Sequence, residues 1–166
     1  MKKQHFQKQI ALCGVLTAVA LILSYIEVLI PFSAAVPGIK IGLANIAVIF
    51  ALYKASTPAA WSVSCVRVFL VGLLFGNIMT LAYSICGAVC SLLVMTVLKR
   101  TKKFSSVGVS VGGGISHNIG QILCAAVLLG TKQILYYLPM LLVSGTVAGV
   151  VIGIIAGLLV SRIRHI

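Results

Sequence analysis

Residues 78–103 read IMTLAYSICGAVCSLLVMTVLKRTKK. From Ile78 to Leu98 there is no charged residue. At 1.5 Å per residue that run is long enough to cross a bilayer as a helix, which takes about 20 apolar residues. Lys99, Arg100, Lys102 and Lys103 follow at once. An apolar run closed by a cationic cluster is the pattern of a membrane span ending in a cytoplasmic loop.

The same reading extends over the whole chain. Hydrophobic residues make up 61% and charged residues 8% of the 166 positions. A mean hydropathy of +1.20 leaves no room for a soluble domain. Six hydrophobic segments are predicted, at about Ile10–Ile30, Lys40–Tyr53, Ala59–Phe75, Ile78–Leu98, Val107–Leu129 and Leu135–Val160. The expected fold is an all-α integral membrane protein of six transmembrane helices, one domain over 1–166. The second segment is short, and is expected to tilt or to begin below the membrane surface. Pro31 ends the first segment, Ser56-Thr57-Pro58 reads as a turn and helix start, and Gly112-Gly113-Gly114 interrupts the fifth. The basic, apolar N-terminus resembles a signal peptide. Its apolar run is too long and lacks a small-x-small cleavage site, so it reads as a retained first span.

The cations give an orientation. Thirteen basic residues face a single acid, Glu27. With the N-terminus inside, Lys2, Lys3, Lys8, Lys54, the Lys99–Lys103 cluster, Arg162 and Arg164 are all inside. Lys40 and Lys132 are outside, and Arg67 is within a span. Both termini are therefore expected in the cytoplasm. The net charge of +12 does not point to nucleic acid, because these groups flank spans. Their expected partners are anionic lipid headgroups, at about 1 kcal/mol each.

Ionisable groups within spans cost roughly 2.5–3.5 kcal/mol each and usually face a partner or a cavity. The candidates are Glu27, Lys40, Asn45, Arg67, Asn77, Ser116, His117, Asn118 and Gln121. Gly114, Asn118 and Gln121 share one helix face, and His117 lies beside Gln121. They predict a polar cavity wall, or else hydrogen bonds to neighbouring helices. Arg67 and Lys40 have only Glu27 to share, so an anionic ligand would supply the missing countercharge. Gly145, Gly149, Gly153 and Gly157 form a flat stripe suited to close packing, internally or on a partner. Gly14 and Ala18, with Ala11 one turn earlier, make a lesser one. The five cysteines read as buried free thiols, and no metal site or cofactor is expected.

The chain contains no aspartate. Magnesium-dependent diphosphate chemistry, ATP hydrolysis and two-carboxylate hydrolysis each need more than one acid. The glycine run lacks the Gly-Lys-Ser/Thr ending of a phosphate loop. The chain is therefore not expected to be an enzyme by itself.

Three stretches carry a family resemblance. They are Pro37-Gly38-Ile39-Lys40-Ile41-Gly42-Leu43-Ala44-Asn45, the Arg67 segment ending Phe75-Gly76-Asn77, and Gly114-Ile115-Ser116-His117-Asn118-Ile119-Gly120-Gln121. Together they resemble the small bacterial membrane proteins called Gx transporters, also labelled heptaprenyl diphosphate synthase component I. That family is similar in size and helix count to the substrate-binding S components of energy-coupling factor transporters. The resemblance implies an S-component-like bundle in the bacterial cytoplasmic membrane. It would capture a polar or anionic small molecule at the outer face and work with a coupling subunit and ATPases. It implies docking of the coupling subunit at Ala11, Gly14 and Ala18, and a gating role for Phe32–Lys40. It also leaves open a non-catalytic membrane subunit of an isoprenoid, quinone or redox assembly.

Overall fold

The computed structural model describes residues 2–30 and 41–163, with side chains from residue 7 onward. Lys40, Arg164 and the Phe32–Lys40 segment lie outside the described residues.

Among the described residues the chain is all helix. The helices are α1 (Lys2–Leu29), α2 (Asn45–Phe50), α3 (Thr57–Phe75), α4 (Ile78–Thr101), α5 (Ser106–Leu129) and α6 (Leu138–Arg162). A π-helical turn, Ala51–Ala55, extends α2, and a 3₁₀ turn, Gln133–Tyr137, precedes α6. Five helical stretches are long and apolar enough to cross a membrane, so this is a multi-pass membrane protein. The expectation of six full spans is corrected at α2. Asn45–Ala55 is about 16 Å long, roughly half a bilayer's hydrocarbon core.

Local chemistry sets most helix ends. Ser56 is extended, and its hydroxyl accepts from the Ala59 amide at 3.2 Å, starting α3 with Pro58 in the first turn. Asn77 and Thr80 form a reciprocal capping box at the start of α4, at 2.8 and 2.9 Å. Ser105 caps α5, and Gly130 ends it in the left-handed conformation at φ 63°. Two boundary expectations change. α4 runs on through Lys99 and Arg100, and α5 passes unbroken through Gly112–Gly114. Each helical glycine costs about 1 kcal/mol relative to alanine. Here the glycines let neighbours in: Gly112 abuts Leu98, Gly113 abuts Met95 and Ser91, and Gly114 abuts the backbone of Gly145.

Helices α4, α5 and α6 pack side by side through the tightest seams of the molecule. Gly145, Gly149, Gly153 and Gly157 all lie against α5, from Asn118 and Gly114 down to Ser106. The stripe is an internal seam. Helix α1 pairs with α3, and α3 meets α4. Helix α2 fills the middle, touching α1, α3 and α6. Its residues Ala47, Val48, Ile49, Phe50, Ala51 and Leu52 are all buried and centre the core. Leu12, Tyr53, Leu98 and Val160 pack around them, so that end of the bundle is also the end bearing Lys8, Lys54, Lys99 and Arg162. At this basic end the Lys99 ammonium donates to the Leu52 carbonyl and sits 5.4 Å from the centre of the Tyr53 ring.

Outward faces carry the large exposed apolar side chains, among them Val15, Ile22, Phe69, Leu123, Val127, Val143 and Val147. That inversion of a soluble surface is what lipid requires. The cysteine expectation is corrected in the same way. Cys65 is exposed and the other four are half-buried, Cys13 among them packing against the core.

Candidate binding cavity

Because α2 reaches only half-way, the other half of the bundle is not filled. It holds a cavity of about 470 Å³, within the usual range for small-molecule sites of about 300–1,000 Å³. Every helix contributes to its lining. The exposed residues Val28, Phe75, Gly76, Asn77 and Thr80 surround its mouth, at the end bearing Glu27. Its deep end, closed by Ile49, Ser91, Met95, Ser110 and Ile152, is buried. Asn77 and Met95 are about 27 Å apart along the axis of α4.

Cross-helix contacts give the depth of each residue. Gly72 of α3 abuts Leu81 of α4, so Arg67 stands about 7 Å deeper, level with Cys86. Gly87 lies against the imidazole of His117, which puts His117 at the level of Arg67. Gly113 meets both Ser91 and Met95, about 7 Å deeper again. The cavity thus has a mouth with Glu27 and Asn77, a middle with Arg67, His117 and Asn118, and a hydroxyl-bearing and apolar floor.

Of the eight residues expected at a ligand site, six line this cavity: Glu27, Asn45, Arg67, Asn77, His117 and Asn118. The Glu27 carboxylate accepts from the Gly42 amide at 2.7 Å. Gly42 has φ +79°, a conformation that suits glycine, so Glu27 anchors the turn leading into α2. Glu27 is also within Coulombic reach of Arg67. The Arg67 Nε is buried without a hydrogen-bond partner among the described residues. Asn118 is buried, and its amide donates to the Leu141 carbonyl of α6 at 2.5 Å. Asn77 is engaged as the α4 cap, so its side-chain oxygen already has a partner.

Two expected residues are not in the cavity. Lys40 is outside the described residues. Gln121 is half-buried and does not line the cavity. The helical stripe Ser110, Gly113, Gly114, His117 and Asn118 does extend to Gln121, but toward its mouth the cavity leans to α1, α3 and the start of α4. Ala11, Gly14 and Ala18 lie together on an exposed face of α1, with open space beside Gly14.

Sequence reasoning missed one wall. Thr80, Ser84, Gly87, Ser91 and Met95 recur every three or four residues along α4, and all except Gly87 line the cavity, with Gly87 making room for His117. The signal was present as small and hydroxyl residues at helical spacing in an otherwise apolar run. Ser110 on α5 was passed over for the same reason: a lone serine in a span carries no charge to mark it. Among the described residues no three His, Cys, Asp or Glu side chains come together as metal ligands.

The family model described as heptaprenyl diphosphate synthase component I matches residues 16–159. No curated protein and no solved structure matches the chain.

Proposed function

The chain belongs to the heptaprenyl diphosphate synthase component I family, and for this member we propose a capture protein without chemistry of its own. It is the substrate-binding membrane subunit of an importer of the energy-coupling factor type, in a bacterial cytoplasmic membrane. The Glu27 end faces outward and takes in a polar or anionic small molecule. One observation carries this reading: Arg67 stands half-way down a small-molecule-sized cavity with its Nε unpartnered among the described residues, while the only acid in the chain accepts from the Gly42 amide. A half-buried guanidinium with an unbonded Nε is costly in a membrane, and an anionic ligand lowers that cost. His117 and Asn118 at the same level supply direction through hydrogen bonds. The exposed small-residue face at Ala11, Gly14 and Ala18 is the docking face for a coupling subunit, which with its ATPases provides the energy.

The family's description favours a second reading, a membrane accessory to a separate prenyl-elongating subunit. The absence of aspartate leaves elongation itself to the partner. Native mass spectrometry of the purified protein tests the first reading. A retained anionic small molecule is expected, and Arg67→Gln should lose it, with affinity down at least about 100-fold. Co-purification separates the two readings. An ATPase pair with a coupling subunit supports capture and import, and a prenyltransferase without ATPases supports the second.

A further inference from the structure

Many hydroxyls in these helices are satisfied locally. Ser62, Ser116, Ser144 and Ser161 each donate to a carbonyl three or four residues earlier. Thr17 and Thr146 do the same. This back-bonding is the usual way for a hydroxyl to live inside an apolar helix. Ser91 and Ser110 depart from it. Each is only 4% exposed, each lines the cavity floor, and neither hydroxyl has a hydrogen bond among the described residues. Ser24 Oγ and Thr96 Oγ1 are also without partners among the described residues, but they do not line this cavity.

The two serines come from different helices and both line the floor, Ser110 about one helical turn deeper than the Gly113 level where Ser91 lies. Ser91 Oγ lies close to Gly113, one turn from Ser110, where a Cβ on that glycine would stand 3.1 Å from it. Gly149 and Gly153 bring α6 against the backbone and Cβ of Ser110. Glycines thus keep this floor open instead of filling it with side chains. Buried hydroxyls are normally paired, so two unpaired ones facing the same cavity mark a place where a ligand group makes the bonds.

We propose that Ser91 and Ser110 form a second subsite, which binds an uncharged hydrogen-bonding group at the end of the ligand remote from its anionic group. This rests on the capture reading above and narrows the ligand class. The Arg67 guanidinium, its Nε without a hydrogen-bond partner among the described residues, presents a planar fork that a carboxylate fits. About 7 Å deeper along the bundle axis, the floor takes a hydroxyl, carbonyl or amide. The ligand is a compact hydrophilic monocarboxylate that enters polar end first. An alkyl or prenyl tail at that end would leave both hydroxyls unpaired, and sites built for a hydroxyl discriminate strongly against analogues lacking it.

The test uses a ladder of carboxylates from hydroxybutanoate to hydroxyoctanoate, each with its hydroxyl at the chain end, beside their unsubstituted counterparts. Affinity for the purified protein is measured by native mass spectrometry and by thermal protection. At the chain length that spans Arg67 to the floor, the hydroxylated member should bind at least about tenfold tighter than its counterpart. Ser91→Ala with Ser110→Ala should remove that preference. Ser110→Thr, which keeps a hydroxyl, should retain it. Equal affinities in the wild type, or a preference that survives the double alanine variant, overturn the subsite. In either case carboxylate binding that still depends on Arg67 leaves the capture reading standing. If neither series binds the wild type, the subsite falls, and the capture reading is decided by whether native mass spectrometry finds a retained anionic small molecule.

Discussion

Helices α3 and α5 flank α4 and line the same cavity, yet they meet α4 by opposite rules. Helix α5 brings Gly112, Gly113 and Gly120 against α4, where Leu98, Met95, Ser91 and Cys90 fill the space a Cβ would take. Its other side is closed by Gly114 against Gly145, backbone to backbone. Helix α3 brings Gly72 and Gly76 to α4, at Leu81 and Thr80, close to the turn that joins the two. Beyond those contacts α3 carries Arg67, the chain's most costly residue for a membrane interior. The difference shows a division of labour in one wall. In lipid no hydrophobic force drives helices together, so tight seams come from small residues that let backbones touch. Where such residues stop, the seam leaves room for a charge and for a ligand.

The largest expected effect breaks the tight side. Gly114→Leu places side-chain atoms where a Cβ alone would stand 2.5 Å from the Gly145 carbonyl oxygen. Overpacking of rigid backbone costs about 3 kcal/mol or more. Loss of a monodisperse peak in size-exclusion chromatography is expected. Gly14→Leu, in open space on α1, should elute as the wild type does. If the two behave alike, the glycine seams are not what holds α4–α6 together.

A smaller effect of opposite sign is expected on the open side. Arg67→Met removes a half-buried charge whose Nε has no hydrogen-bond partner among the described residues, so the ligand-free protein should be more heat-stable, by about 1–2 kcal/mol. A thermal denaturation curve in detergent reads this directly. A clear fall in stability would mean that Arg67 holds the fold together instead of waiting for a ligand. Smallest of the three, Asn77→Ala should lose about 1 kcal/mol, because it removes the cap that begins α4 beside the cavity mouth. The same thermal curve should shift down slightly while the chromatographic peak stays intact.

Much of the plan was legible in the chain. Apolar runs, the Ser56 start and the basic cluster after Leu98 mark the helices, because span length and end chemistry are local properties. Arg67 and Asn118 stood out because charge and amide are conspicuous in hydrocarbon. Ser91 and Ser110 did not, since a serine in a span is ordinary until its usual back-bond is seen to be missing. Gln121 shares a helix face with Asn118 but not the cavity, because helical phase says nothing about where a cavity leans.

By itself, then, the sequence determined that this is a multi-pass membrane protein, where its long helices begin and end, and that it has one acid to set against thirteen cations. Those follow from composition and from interactions within a few residues. Only the tertiary structure decided that the short α2 plugs one end and leaves the other open, that the α6 glycines face α5, and that Glu27 bonds to Gly42 while the Arg67 Nε has no partner among the described residues. Each of these depends on which helices become neighbours, and residues far apart along the chain settle that by how closely their backbones can approach.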